Sequence, residues 1–312
     1  MNYKKALLEA HQRILPYIHQ TPILTSQLLN DISGAEIYFK CENFQKMGAF
    51  KMRGALNAIL QLSDAEKTKG VVTHSSGNFA QAIALAAKML GITAYIVMPK
   101  NAPKVKKEAV LGYGGIVIES DSTPIARELK ADEVVKEKEA TFIHPSNDIP
   151  VIIGQGTAAL ELLNNQPNLE TVVTPVGGGG LLSGTALSAH YFGNNCKVYA
   201  GEPNEANDAF RSLKSGKIES NKTTNTIADG LRTQLGSNTF PIIQKYVNEI
   251  ICVSEDEIID AMKLLWERLK IVVEPSSAVA FAAVLKRKDI FQNKKIGVIL
   301  SGGNVDLTNL PF

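Results

Sequence analysis

Lys51 stands inside ENFQKMGAFKMRGA, residues 42–55, between Gly48 and Gly54 and beside Phe50 and Arg53. Glycines on both sides let the chain bend next to a lysine whose stem has apolar neighbours. Desolvation disfavours an ammonium and frees the amine as a nucleophile, the state in which lysine condenses with an aldehyde. A surface lysine at a helix start is the plainer alternative. Gly177, Gly178, Gly179 and Gly180 follow the apolar run TVVTPV and precede LLSGTALSAHYF. Bare amides at a helix amino terminus would cradle an anion such as a phosphate; a flexible turn is the alternative. No Gly-Lys-Ser/Thr follows, and Leu182 occupies the sixth position from Gly177, so neither a Walker loop nor a dinucleotide fingerprint is present. Ser75, Ser76, Gly77 and Asn78 form a second strand-to-helix turn, either at a ligand on the carboxyl edge of a sheet or as a helix cap. SGGNVD, residues 301–306, delivers Ser301 to the same edge.

The elements that must position these residues alternate along the chain. A helix is predicted over residues 3–17, ended by TPI at 21–23, with a strand at 36–41 and a helix at 53–62. Strands at 70–73, 94–98 and 116–119 then alternate with helices at 80–90, 102–111 and 123–138, which is the pattern of a parallel sheet. The helix at 80–90 is apolar nearly all round, as befits one sandwiched inside an α/β core. Residues 140–150, with two prolines, read as a crossing between domains. Beyond it come helix 155–165, strands 171–176 and 197–202, an irregular polar stretch to Asp229, strand 249–253, helices 255–270 and 276–286, and strand 297–300. The expected organisation is a small domain, residues 70–147, inserted into a large one made of residues 1–69 and 148–312.

With 312 residues, 45% of them hydrophobic, the chain is long enough for two cores. A formal charge of +2 implies neither nucleic acid nor a membrane surface as partner, and Lys104, Lys106 and Lys107 read as a solvated helix face. Charges interrupt the amino end where a signal peptide needs an apolar run, so the expected compartment is the cytosol. Cys41, Cys196 and Cys252 lie far apart and suit reduced thiols. No appended regulatory domain is expected after the last strand.

FKMRGA around Lys51, SSGN at 75–78, VGGGGLLSG at 176–184, TIADG at 226–230, EPSSA at 274–278 and SGGNVDL at 301–307 occur in this order over nearly the whole chain. Together they resemble the fold type II pyridoxal phosphate enzymes, specifically the serine racemase and serine/threonine dehydratase family. The resemblance implies a tryptophan synthase β-like fold: α/β, with two open, twisted, mostly parallel sheets flanked by helices. It implies that Lys51 bonds the aldehyde of pyridoxal 5'-phosphate and that Gly177, Gly178, Gly179 and Gly180, with Leu181, hold its phosphate. Asn78 would meet the ring hydroxyl, Ser301 the pyridine nitrogen, and Phe50 a ring face. Lys51 and Ser76 would be acid and base on opposite faces of the substrate α-carbon, with Ser75, Ser76 and Asn78 at its carboxylate.

Arg127 matches an arginine facing the substrate pocket, a solvated helix arginine being the alternative. Glu202, the Ala206 carbonyl and Asp208 match a site for Mg2+ or Ca2+, against a charged loop that binds nothing. The implied activity is dehydration of L-serine or L-threonine to a 2-oxo acid and ammonia, with serine racemisation, in a homodimer. Open beside it are a threo-3-hydroxyaspartate ammonia-lyase, a β-replacement lyase of the cysteine synthase type and a catalytically silent binding module. Phe79 departs from the family's SSGNH, either making the pocket more apolar or packing inward. His144 reads as a structural residue of the domain crossing.

Overall fold

The computed structural model describes residues 1–312, the side chain of Pro124 aside. In chain order it begins with α1 (Tyr3–Ile14), β1 (Ile23–Leu24), α2 (Gln27–Ser33), β2 (Glu36–Cys41), α3 (Lys51–Leu60) and α4 (Asp64–Lys69). Next come β3 (Val71–His74), α5 (Asn78–Met89), β4 (Ala94–Pro99), α6 (Lys104–Gly112), β5 (Ile116–Ser120), α7 (Pro124–Lys138) and β6 (Thr141–Phe142). The middle of the chain supplies α8 (Ile149–Asn165), β7 (Thr171–Pro175), α9 (Gly180–Phe192), β8 (Lys197–Pro203), α10 (Asp208–Ser215) and α11 (Thr239–Tyr246). It ends with β9 (Glu249–Val253), α12 (Glu255–Leu269), α13 (Pro275–Lys286), α14 (Lys288–Phe291) and β10 (Lys295–Leu300).

The strands form two sheets. The order β1-β2-β10-β7-β8-β9 gives a six-stranded sheet, and β5-β4-β3-β6 a four-stranded one. Every pairing is parallel except β1 with β2. The four strands of the smaller sheet all lie between Val71 and Phe142, whereas the larger takes strands from before and after them. Helices cover the sheet faces, so β7 is buried at all five positions and reads as an unbroken TVVTP rather than an alternating strand. The strand ends do not share one edge as expected: Ser75 follows β3 at the carboxyl edge of the smaller sheet, whereas Gly177 and Ser301 follow β7 and β10 at the carboxyl edge of the larger.

Local chemistry explains most boundaries. Ser63 with Glu66, and Ser254 with Glu257, make reciprocal capping boxes at the starts of α4 and α12. The predicted helix at 155–165 begins at Ile149 instead. Pro150 lies in its first turn, where a missing N–H costs nothing, so the proline starts the helix rather than forbidding it. The crossing at 140–150 is correspondingly shorter and contains β6, which extends the smaller sheet beside β3. The predicted irregular stretch to Asp229 holds α10, and the helix predicted from Arg53 starts at Lys51. Among the described residues no helix is long and apolar enough to cross a membrane.

Two glycines set how close α3 comes to α8. A Cβ on Gly54 would lie 2.4 Å from Gln155 Nε2 and 2.9 Å from the Val151 carbonyl, and one on Gly154 would lie 2.7 Å from Gly54 Cα. The helix that begins with Lys51 therefore rests backbone to backbone on its neighbour.

Candidate active site

Lys51 is the first residue of α3, after a turn in which Met47 (φ 56°) and Gly48 (φ 78°) adopt left-handed backbone. That turn is tied to the end of β10: the Phe50 N–H donates to the Ser301 carbonyl at 3.0 Å, and Ala49 bridges to Gly302. The Lys51 amine donates to the Pro145 carbonyl at 2.8 Å, with the rings of Phe50 and Phe79 centred 5.1 and 5.4 Å away. Burial lowers its pKa to about 8, against the opposing pull of Glu274. A nucleophilic amine is thus accessible near neutral pH, which an exposed lysine would not offer.

The glycine run comes up against the residue after Pro145. A Cβ on Gly178 would fall 2.3 Å from Ser146 Oγ, and one on Gly180 would fall 3.0 Å from the Ser146 carbonyl. Gly179, at φ 82°, is the amino-terminal cap of α9 and has no side-chain hydrogen bond there. The Thr239 hydroxyl meets the Gly178 carbonyl at 3.2 Å and steadies the run. Leu181 turns its side chain into the core. Lys51 and the glycines therefore meet on one dipeptide, Pro145 and Ser146, and the open amides of α9 lie within a small molecule's length of the amine.

Ser75, Ser76 and Asn78 lie where β3 enters α5. The cap alternative is not realised: Gly77 occupies the cap position without a side-chain bond, and the Ser75 hydroxyl reaches the Gly77 N–H only at 3.4 Å. The first-turn amides of α5 remain open to an anion. Asn78 faces the larger sheet. Its Nδ2 donates to Glu274 Oε1 at 2.9 Å and Oε2 at 3.1 Å, and its Oδ1 accepts from Asn304 Nδ2 at 2.9 Å. Asn304 also donates to the Met47 carbonyl at 2.8 Å, closing the cluster onto the turn before Lys51. Burial raises the Glu274 carboxyl to about 7, with the Asn78 bond opposing. Glu274 and Asn304 lie within the EPSSA and SGGNVDL motifs, but nothing in those motifs singles either out.

Phe79 packs inward at 2% exposure, among Met52 and Ala55, while its ring still borders the Lys51 amine. Arg127 on α7 has a buried Nε without a hydrogen-bond partner among the described residues, and its charge, after burial, lowers the pKa of His74. It is therefore no freely solvated helix arginine. The His74 ring stands 5.6 Å from that of His144. His144 Nδ1 accepts the N–H groups of Ser146 and Asn147 at 3.1 and 2.9 Å, and burial, then His74 and Lys51, lower its pKa to about 4. A neutral imidazole thus shapes the turn that carries the Lys51 partner.

Glu202 and Asp208 form a separate group where β8 leads into α10. Glu202 is fully buried and accepts the N–H groups of Ala209 and Phe210, both at 2.8 Å. Asp208 Oδ2 accepts the Leu235 N–H at 3.0 Å, while its Oδ1 is buried without a partner. Burial and then Asp208 raise Glu202 well above the usual carboxylate range, and burial lifts Asp208 to about 6. Two buried carboxylates with an unused oxygen are a donor set that fits a hard divalent cation. Among the described residues no group of three or more His, Cys, Asp or Glu gathers for a metal, so the Ala206 carbonyl and water would complete the set. Asn221, whose amide atoms are also buried without partners, has no signal in the sequence because its surroundings read as irregular loop.

Behind α3 lies a second cluster the sequence did not reveal. Arg53 is completely buried and bonds both Glu42 and Glu161 through paired contacts of 2.7–2.8 Å. Lys40 adds a 2.7 Å bond to Glu161. Cys41 is buried, its thiol pushed up to about 12 by burial, and is no nucleophile.

Comparison with known proteins identifies the family. A family model described as pyridoxal-phosphate dependent enzyme matches residues 14–302. A serine racemase of Dictyostelium discoideum is 52% identical over 98% of this chain and 96% of its own length. Its crystal structure superposes with a TM-score of 0.93 over 97% of this chain and 99% of that chain. A beta-hydroxyaspartate dehydratase of Paracoccus denitrificans is 48% identical over 98% of this chain and 97% of its own. A threonine deaminase of T.th. is 42% identical, with a TM-score of 0.92 over 98% of this chain and 99% of that chain.

Proposed function

The chain belongs to the pyridoxal-phosphate dependent enzymes, and from that premise we propose that it racemises serine and dehydrates L-serine or L-threonine to a 2-oxo acid and ammonia. The observation that carries this reading is the meeting of the Lys51 amine and the glycine run on Pro145 and Ser146. An amine with a pKa of about 8 fits an aldehyde, and an uncapped helix start on bare glycines fits its phosphate. When bound, the cofactor supplies the electron sink that makes the substrate α-proton removable.

This chain's own groups do the rest. Gly177, Gly178, Gly179 and Gly180, with the Leu181 amide, would hold the phosphate, and Phe50 would line a ring face. Asn78 donates to the ring hydroxyl oxygen. Ser301 would meet the pyridine nitrogen with a hydroxyl, which cannot keep that nitrogen protonated as a carboxylate would. The open amides of α5, with Ser75 and Asn78, bind the substrate carboxylate. Lys51 takes the α-proton on one face and Ser76 moves a proton on the other, which permits inversion as well as elimination. Glu202, the Ala206 carbonyl and Asp208 hold Mg2+ or Ca2+. The smaller sheet, with residues 70–147, acts as a domain inserted between residues 1–69 and 148–312, and the reaction takes place between the two.

Arg127 favours a second reading. A guanidinium with an unpartnered, buried Nε beside His74 is suited to a further carboxylate on the substrate, as 3-hydroxyaspartate carries. The test is a screen of serine, threonine and 3-hydroxyaspartate stereoisomers with the cofactor-loaded protein, following keto acid and chiral products. Keto acid from hydroxy amino acids together with D-serine is the expected result, and loss of only the 3-hydroxyaspartate activity in Arg127→Ala would establish the second substrate. Turnover of O-acetylserine with sulfide in preference to serine would make it a β-replacement lyase. Binding without any product would make it a silent module.

A further inference from the structure

We propose that Glu274 is a positioning residue: it fixes the side-chain amide of Asn78 in the orientation that leaves one N–H free for the cofactor's ring oxygen. This rests on the role given to Asn78 above. The two ends of an amide are nearly alike in shape, so its partners decide which end a ligand meets. Ionised Glu274 can only accept, and it takes Asn78 Nδ2 at 2.9 and 3.1 Å. Both oxygens belong to one carboxylate and lie on the same side of the nitrogen. A single N–H therefore serves them, and the second stays available.

The opposite end is equally committed. Asn304 Nδ2 donates to Asn78 Oδ1 at 2.9 Å and is itself held by the Met47 carbonyl at 2.8 Å, so the amide cannot turn over without two donors, or two acceptors, facing each other. Glu274 has little freedom of its own. It is 5% exposed, its N–H donates to the Gly302 carbonyl at 3.1 Å, and its Oε2 also accepts the Asn304 N–H at 3.2 Å. A buried carboxyl that no catalytic step employs is costly to retain, and orienting Asn78 is the work its contacts describe.

The test compares Glu274→Gln, Asn78→Ala and the double variant, each loaded with pyridoxal phosphate. It reads the absorption band of the lysine-bound cofactor across pH and cofactor retention on dialysis. A glutamine presents a donor as readily as an acceptor and releases the amide. Each single variant is expected to displace the band and weaken retention about tenfold, the worth of one good hydrogen bond. The double variant should match Asn78→Ala alone, because one residue acts through the other. A further tenfold loss in the double variant would show that Glu274 acts on the cofactor directly and would overturn the proposal, as would an unchanged Glu274→Gln. An Asn78→Ala protein with unaltered band and retention would remove the role of Asn78 itself, a separate failure. If Glu274→Gln does not fold, Asn304→Ala takes its place. It frees the other end of the amide and must displace the band in the native background but not in Asn78→Ala.

Discussion

Lys51 and Arg53 stand two residues apart in the first turn of α3, and burial works against the charge of both, yet they end in opposite states. At Arg53 the desolvation penalty is outweighed by Glu42 and Glu161, whose paired oxygens hold the guanidinium firmly ionised. At Lys51 the amine has one neutral carbonyl and two aromatic faces, Glu274 does not make up the difference, and the pKa falls to about 8. The lesson is that burial alone does not make a base reactive. What separates an anchor from a nucleophile here is the number of carboxylates within bonding distance, and one helix displays both solutions on different sides.

The largest break in this contrast is Lys51→Ala. We expect turnover to fall by at least about a thousandfold and the cofactor band to vanish. Stability should hold or rise, because a lysine whose pKa is depressed by folding costs free energy at every pH below its unfolded value; a colourless variant that still turns over would end the account. Glu161→Ala should do the reverse. Stripped of one partner, Arg53 and Lys40 become buried charges with too few acceptors, and denaturant titration should register a loss of about 3–5 kcal/mol.

Acid should imitate that variant. Burial alone would raise Glu161, but its bond to His11 and the charges of Arg53 and Lys40 hold it well below the usual carboxylate range. Its stabilising contribution is therefore complete above the unfolded carboxylate value near 4.5 and drains away as pH falls below it. Arg53→Lys keeps the charge but not the fork, and about 2 kcal/mol should go with it. The finest test is kinetic. Uptake of pyridoxal phosphate by the apoprotein should quicken about tenfold per pH unit and level off above about 8, since only the neutral amine attacks. A plateau delayed to the range of an ordinary lysine would mean that Lys51 is not desolvated in solution.

Much of this was legible in the sequence because single residue types carry the chemistry. Lys51, the four glycines, Ser75, Ser76, Asn78 and Ser301 advertise themselves, and in each of the two sheets parallel strands deliver their carboxyl ends to one edge whatever the detail between them. What stayed hidden depends on distance. Glu274 meets Asn78 across 196 positions and Glu161 meets Arg53 across 108, and no local pattern records either pairing. Pro150 misled for a different reason: a proline forbids a helix interior but favours a first turn, and the letters alone do not say which position it fills. The two-residue β6 is too short for any periodicity, and Thr141 joins the sheet because β3 offers a free edge.

The touching backbones at Gly54 and Gly154 carry a consequence far from any ligand. A single methyl group at either position would act as a wedge under a beam whose free end carries the Lys51 amine, one turn from Gly54. Substitution at residues that contact nothing but the neighbouring helix should therefore misaim the amine as well as loosen the helix pair.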